Sequence, residues 1–390
     1  MAAAPAQARP KRPSTPAPTP ALRAAAAPAP PPDSPIVLML SNTFKMPYRV
    51  MRCAAAAGAR VHILSTSRGA DLALSRCCQG LTVSSRAIDG QFDPELASEI
   101  NALTERLGID LVMAGDALST RSLIAVRPLL AAPSFPMPNL AQFDLLNDKS
   151  RFTDLCRSLG IECPRTRLYA DVSDLRRDLL LNTLDFPAIA KPLSMNGAVG
   201  CITLERETAH RRLADIFYSP ILVQQFIEGE DIGASVYCEH GEIKAFIAHK
   251  YGRARYSTFP GHDIHDTLAA ICRHMKLSGV YNFDMRLTPD GRVIYLECNP
   301  RFFYKIAMSM LAGVNFVELG LPGRHREAPA RPPRSGAILF PKALAAALLT
   351  PWKLEGRIWP ALAFILADLI PNLREAAGLE DHTGEFGIPA

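Results

Sequence analysis

Hydrophobic positions along the 390-residue chain fall into two successive patterns. In the first, short apolar runs at 36–40, 61–64 and 109–114 read as buried strands. Helical periodicity fills the intervals at about 48–57 and 94–107, ended by Gly58 and Gly108. Strands alternating with helices at this spacing predict a parallel α/β unit up to about residue 132. Pro133, Pro136 and Pro138 then mark a linker, which places the first domain boundary at 138.

The second pattern has more strands and fewer helices. A helix over 149–159 stops at Gly160, and extended runs follow at 187–191, 201–204, 221–227, 232–238 and 242–249. His240-Gly241 between the last two runs is a hairpin signal. Helical residues over 265–277 precede two strands, 281–287 and 292–298, joined by Thr288-Pro289-Asp290-Gly291. The expected class is therefore α/β followed by mostly antiparallel α+β. Residues 323–336, rich in Pro and Arg, read as a linker to a helical C-terminal extension over the rest of 323–390.

Composition alters this picture at one end only. Residues 1–35 are dominated by Ala and Pro, with Arg9, Lys11, Arg12 and Arg23 and no acid before Asp33. Such a segment buries too little apolar surface to offset its ordering entropy, so a disordered tail is expected. It carries much of the net charge of +5. The remainder is near neutral, so charge does not argue for a nucleic-acid partner, and none is expected. The most apolar later stretch, 359–370, is interrupted by Pro360 and Asp368 and is too short to span a bilayer. Nine cysteines without C-x-x-C or zinc spacing fit reduced thiols in the cytoplasm.

The strongest chemical signal is Asp284 together with Glu297-Cys298-Asn299-Pro300-Arg301. Side chains alternate along a strand, so Glu297 and Asn299 share one face and Leu296 and Cys298 the other. If Leu287 lies opposite Arg292, then Asp284 lies opposite Tyr295 and joins the Glu297 face, provided no bulge intervenes. Two carboxylates and an amide oxygen make a hard site suited to magnesium, or manganese in its place. A solvent-facing hairpin carries such residues as well, so the reading depends on its neighbours. Lys191 ends an apolar strand and opens a loop of small residues, 194–200, including Gly197 and Gly200, whose backbone N–H groups suit phosphate. Gln224-Gln225-Phe226-Ile227-Glu228-Gly229-Glu230-Asp231 runs from a strand into an acidic turn able to take a purine and its ribose. Lys149, after the proline-rich boundary, is placed to reach a phosphate. Lys250, Arg253 and Arg255 form a basic stretch suited to an anionic substrate or, equally, to solvent.

Taken in this order, these segments resemble the ATP-grasp superfamily, which includes D-alanine–D-alanine ligase and biotin carboxylase. The resemblance spans about 36–320 and is sharpest over 148–301. It implies a Rossmann-like N-terminal domain (36–138) and an ATP-grasp domain (139–322). The latter divides into a smaller subdomain at about 150–220 and a metal-binding subdomain at about 221–322. ATP and magnesium are the implied cofactors. Lys149 and Lys191 would meet phosphates, with the loop around Gly197 and Gly200. Gln225, Phe226 and Ile227 would line adenine, largely through backbone, and Asp231 or Glu230 would hold ribose. Asp284, Glu297 and Asn299 would take the metal, and Arg301 would lie near an acyl phosphate. Gln224 replaces the family's usual Glu, and the phosphate loop carries Asn196 and Ala198 in place of some glycines.

The implied activity is an ADP-forming carboxylate–amine or carboxylate–thiol ligase acting on small molecules. A phosphotransferase or carboxylase on the same fold, and a nucleotide-binding regulatory protein without turnover, are the alternatives. The intact lysines and acids speak against the last.

Overall fold

The computed structural model of the protein describes residues 34–193, 200–251, 255–323, 337–338, 349 and 358–376. The tail expected over 1–35 lies almost wholly outside them, as do Gly197, Arg253, most of the 323–336 linker and the side chain of Arg255.

The first sheet is parallel, in the order β3 (Cys78–Val83), β2 (Arg60–Ser65), β1 (Ile36–Ser41) and β4 (Leu111–Ala114). Helix α1 (Lys45–Ala56) covers one face, and α2 (Pro94–Leu107) and α3 (Ala117–Val126) cover the other. The sequence places the start of α1 after Pro47, whereas the helix begins at Lys45. Proline is tolerated in a first turn because the missing N–H has no intrahelical acceptor there. The pattern did not reveal β3, whose residues are mostly half-exposed at a sheet edge and so lack a buried strand's continuous apolar run.

Helices α4 (Leu140–Asn147) and α5 (Lys149–Ser158) lead into a small antiparallel sheet. Its order is β5 (Thr166–Tyr169), β8 (Ile221–Gln225), β6 (Ala188–Pro192) and β7 (Ile202–Leu204). It is backed by α6 (Val172–Leu180) and α7 (Ala209–Arg212) over a core of its own.

The largest sheet has the order β13 (Val293–Asn299), β12 (Gly279–Leu287), β9 (Glu230–Glu239), β10 (Glu242–Tyr251), β11 (Arg255–Phe259) and β14 (Ala337–Ile338). Helix α8 (His262–Met275) and α5 cover one face. Its other face shares a continuous core with the first sheet, in which Val37 and Ile63 join Ile247, Tyr256 and Val280. Helices α9 (Ile306–Leu311) and α10 (Phe316–Leu319) complete that core through Ile306 and Phe316.

The expected C-terminal helices exist as Ile358–Leu366 and Leu369–Ala376, and they dock on the first domain. Asp368, 2% exposed, accepts from Ser75 Oγ (2.5 Å) and Arg76 N (3.0 Å) and lies 3.9 Å from Arg52. Asn372 donates to Tyr48 Oη at 2.9 Å. All nine cysteines are free, and Cys53, Cys156, Cys238, Cys272 and Cys298 are buried.

Candidate active site

The cleft between the small and large sheets gathers side chains from α5, β6, β12 and β13. Asp148 caps α5 by accepting from the backbone N–H groups of Ser150 (2.8 Å) and Arg151 (3.0 Å). The cap fixes where the helix starts and thereby aims Lys149, its first residue, into the cleft. Lys149 is 7% exposed. Its Nζ donates to the carbonyl of Leu193 at 3.2 Å and lies 3.3 Å from Glu297 Oε2.

Lys191 sits on β6 opposite Leu222 and is half-buried. Burial pulls its pKa below the ordinary lysine value; Glu297 and Asp284 oppose this, and the Lys149 charge adds to it. Burial by itself would raise the pKa of Glu297. The charges of Lys149 and Lys191 outweigh that effect and hold its carboxyl below the usual glutamate range.

The register of the β12–β13 hairpin departs from expectation. Leu287 pairs with Val293 instead of Arg292, and a bulge between Asp284 and Met285 then places Asp284 opposite Glu297 instead of Tyr295. These are two successive one-residue shifts, and a two-residue shift preserves the side-chain parity of a strand. Asp284, Glu297 and Asn299 therefore share a face even though the pairing differs. Tyr295 and Cys298, by contrast, both enter the opposite core, with Leu296 and Glu297 between them at the bulge.

That shared face carries a run of hydrogen bonds. Ser235 Oγ donates to Asn282 Oδ1 (2.9 Å), and Asn282 Nδ2 donates to Asp284 Oδ1 (3.1 Å). Asn299 Nδ2 donates to Asp284 Oδ2 (3.2 Å), while Asn299 Oδ1 accepts from Arg301 Nη2 (2.9 Å). Arg301 is 8% exposed and also donates to the Phe302 carbonyl at 3.0 Å. Among the described residues no three His, Cys, Asp or Glu side chains cluster as for a metal. The donor set is thus two carboxylates and one amide oxygen. It fits a hard cation that keeps water or phosphate in its remaining positions, as magnesium does.

Gly200, at the end of the expected phosphate loop, has φ +73°, and a Cβ there would come within 2.9 Å of the Tyr218 ring. Tyr218 Oη donates to the Gly200 carbonyl at 2.7 Å, which fixes the return of that loop into β7.

The segment from Gln225 to Asp231 crosses from the small sheet to the large one. The N–H groups of Gln225 and Phe226 are already spent on the carbonyls of Arg165 (2.8 Å) and Pro187 (3.0 Å). Of the three residues expected to line adenine, Gln225 and Phe226 thus have their N–H groups engaged by the small sheet. The Gln224 side chain turns inward and donates to Thr166 Oγ1 at 3.1 Å. Both expected ribose acids are ion-paired: Glu230 with Lys250 at 2.5 Å, and Asp231 with Arg286 at 2.8 Å. Lys250, expected from sequence to face an anionic substrate or solvent, thus reaches back to that crossing.

Asn282, Arg286, His249 and Lys305 belong to none of the sequence motifs, yet the structure brings them to the site or beside it. Asn282 and Arg286 were within the sequence's reach, lying two residues either side of Asp284 on the same strand. His249 is buried against Tyr256, with ring centroids 4.6 Å apart. Burial, with a contribution from Lys305, pushes its pKa down to about 3. Nothing local in the sequence marks it.

A cleft near Arg301 is lined by Ala114, Phe135, Met137, Val280 and Phe302, where the end of the parallel sheet meets the β12–β13 hairpin. No helix among the described residues is long and apolar enough to cross a membrane.

A parallel α/β layer followed by two antiparallel sheets enclosing lysines, acids and an amide is the ATP-grasp fold. More particularly, residues 217–339 match the family model described as ATP-grasp in the biosynthetic pathway with Ter operon. Among solved structures, the chain is similar to L-amino acid ligase from Bacillus licheniformis, at 14% identity and TM-score 0.56 over 75% of each chain. It is also similar to N5-carboxyaminoimidazole synthetase from Staphylococcus aureus complexed with ADP, at 11% identity and TM-score 0.58, over 75% of this chain and 79% of that one. A third is the biotin carboxylase domain of 2-oxoglutarate carboxylase from Hydrogenobacter thermophilus in complex with MgADP. Its identity is 13% and its TM-score 0.56, over 77% of this chain and 72% of that one. The search of curated proteins gave no match.

Proposed function

We propose that the protein is an ATP-dependent ligase that activates a carboxylate as an acyl phosphate and passes the acyl group to an amine or thiol. The observation that carries this reading is the convergence of Lys149 on Glu297 at 3.3 Å, beside Asp284, Asn299 and Lys191. The similar structures named for an amino acid ligase and a carboxylase support the reaction class.

Carboxylates resist attack because oxide is a poor leaving group. A substrate carboxylate oxygen would attack the γ-phosphorus of ATP, breaking its bond to the bridging oxygen and releasing ADP. The nucleophile then adds to the acyl carbon, phosphate departs, and the nucleophile gives up its proton. Asp284, Glu297 and Asn299 would hold magnesium, which when bound neutralises charge on the terminal phosphates. Lys149, buried, and Lys191, half-buried, supply fixed positive charge shielded from solvent, where such charge acts strongly. The Asn299 amide turns its nitrogen to Asp284 and its oxygen to Arg301, so metal binding would exchange the Asn299–Asp284 hydrogen bond for a bond to the amide oxygen.

The test is turnover with carboxylate labelled with oxygen-18, in a screen of amino acids and small acids scored by ADP release. One label should appear in phosphate, with ADP as the nucleotide product. AMP as the first product, or unlabelled phosphate in an active assay, overturns the mechanism. ADP release with no need for a second nucleophile would point instead to a phosphotransferase.

A further inference from the structure

Arg286 stands outside the proposed phosphate and metal contacts, yet it makes an unusually complete set of bonds. It projects from β12 on the face that carries Asp284. Its Nη1 donates to the carbonyls of Ile227 (3.0 Å) and Gly229 (3.2 Å), and its Nε lies 2.8 Å from Asp231 Oδ1. Its guanidinium carbon is 5.7 Å from the centroid of the Phe226 ring. One side chain thus engages four of the six residues from Phe226 to Asp231, the crossing between the sheets. The same segment is pressed onto β12 by Gly229, where a Cβ would come within 2.2 Å of the Leu287 carbonyl.

We infer that Arg286 is the positioning residue for base recognition, holding the 226–231 crossing in the conformation that receives the nucleotide base. This rests on the nucleotide-site reading above. A peptide plane has one orientation once its carbonyl is fixed. With the Ile227 carbonyl bound to Arg286, the Ile227–Glu228 peptide cannot turn. The N–H groups of Gln225 and Phe226 are fixed by the small sheet. The crossing is therefore held from both sheets at once. Asp231 acts with Arg286, so its carboxylate is oriented before any ribose hydroxyl arrives. A planar guanidinium forms such a multi-acceptor fork, whereas an ammonium at one point does not. Because Arg286 and Asp284 lie two residues apart on one strand, base and metal positions are set by the same rigid element.

The experiment measures MgADP and MgGDP affinity, by competition with a fluorescent ADP analogue, on the full chain and on Arg286→Ala, Arg286→Lys and Asp231→Asn. Magnesium-dependent ADP binding by the parent is the control for the nucleotide site; its absence overturns that reading and this one with it. With the parent binding, Arg286→Ala should bind ADP at least tenfold more weakly and lose most of its preference for ADP over GDP. Arg286→Lys should fall between, and Asp231→Asn should weaken binding less than Arg286→Ala. Unchanged ADP affinity in Arg286→Ala, or a loss that leaves the ADP-to-GDP ratio intact, overturns the assignment. A merely structural arginine would give that second result. If Arg286→Ala does not fold, Arg286→Lys decides by the same ratio.

Discussion

Lys149 Nζ sits 3.3 Å from Glu297 Oε2 while donating to the carbonyl of Leu193, so one buried ammonium ties the hairpin to the start of the expected phosphate loop. This arrangement also sets the protonation of Glu297. A carboxyl whose folded pKa is depressed adds stability above its unfolded value, near 4.3, and loses it as pH falls through the folded value. Replacing Lys149 with Met should shift the acid limb of the unfolding midpoint toward higher pH. Thermal unfolding followed between about pH 3 and 7 checks it.

Lys191 has linkage of the same sign, but in the alkaline range. Its folded pKa lies below the ordinary value near 10.4, so the unfolded chain binds its proton more tightly and this lysine's contribution to stability rises with pH in that alkaline window. Nucleotide phosphate favours the charged form, so MgADP affinity should fall by up to tenfold per pH unit once Lys191 begins to discharge. Lys191→Arg, which stays charged, should flatten that slope. Calorimetric titration at a series of alkaline pH values is the measurement.

Neighbouring residues of β13 should behave differently. Glu297→Gln and Asn299→Ala remove proposed metal ligands and should reduce turnover at least a hundredfold while the fold survives. Cys298 points into the opposite core, so Cys298→Ala should keep activity and cost about 1 kcal/mol. Steady-state kinetics beside urea unfolding separates the two effects.

Gly229 has φ +143° and faces the Leu287 carbonyl. Alanine there meets both an unfavourable backbone conformation and a backbone contact that no rotamer relieves. Gly229→Ala should destabilise by more than about 1 kcal/mol and weaken MgADP binding. Gly160→Ala, also at positive φ but with open space around its Cβ position, serves as the comparison, with conformational strain alone.

At the other end of the molecule, Asp368→Ala would leave Arg52 buried without its carboxylate and strand two donors, Ser75 Oγ and Arg76 N. The expected loss is about 3–5 kcal/mol. Arg374→Ala breaks a 2.7 Å pair with Asp71 that is more than a third exposed on both sides, and should cost below about 1 kcal/mol. Denaturant unfolding of the two variants tests this contrast.

What the sequence by itself determined was the class of structure and the chemical character of the cleft. Strand and helix periods are local properties, so β1, β2, α2, α5 and the β12–β13 hairpin were legible from apolar spacing, caps and terminal glycines. The parity of a strand is local as well, so Glu297 and Asn299 share a face by sequence alone, whereas Asp284 joins them because two one-residue register shifts cancel. Tertiary structure alone decided the pairing register, the partner of each charge and the fate of each backbone donor. Asp231 meets Arg286 from 55 residues downstream, and Glu230 meets Lys250 from 20 downstream. Tyr48 and Asn372 join across 324 residues, which gives the C-terminal helices a place that composition did not show. Such contacts depend on how distant segments stack once their apolar faces are buried. Local propensity fixes which way a side chain points along its own element, and packing fixes what it meets.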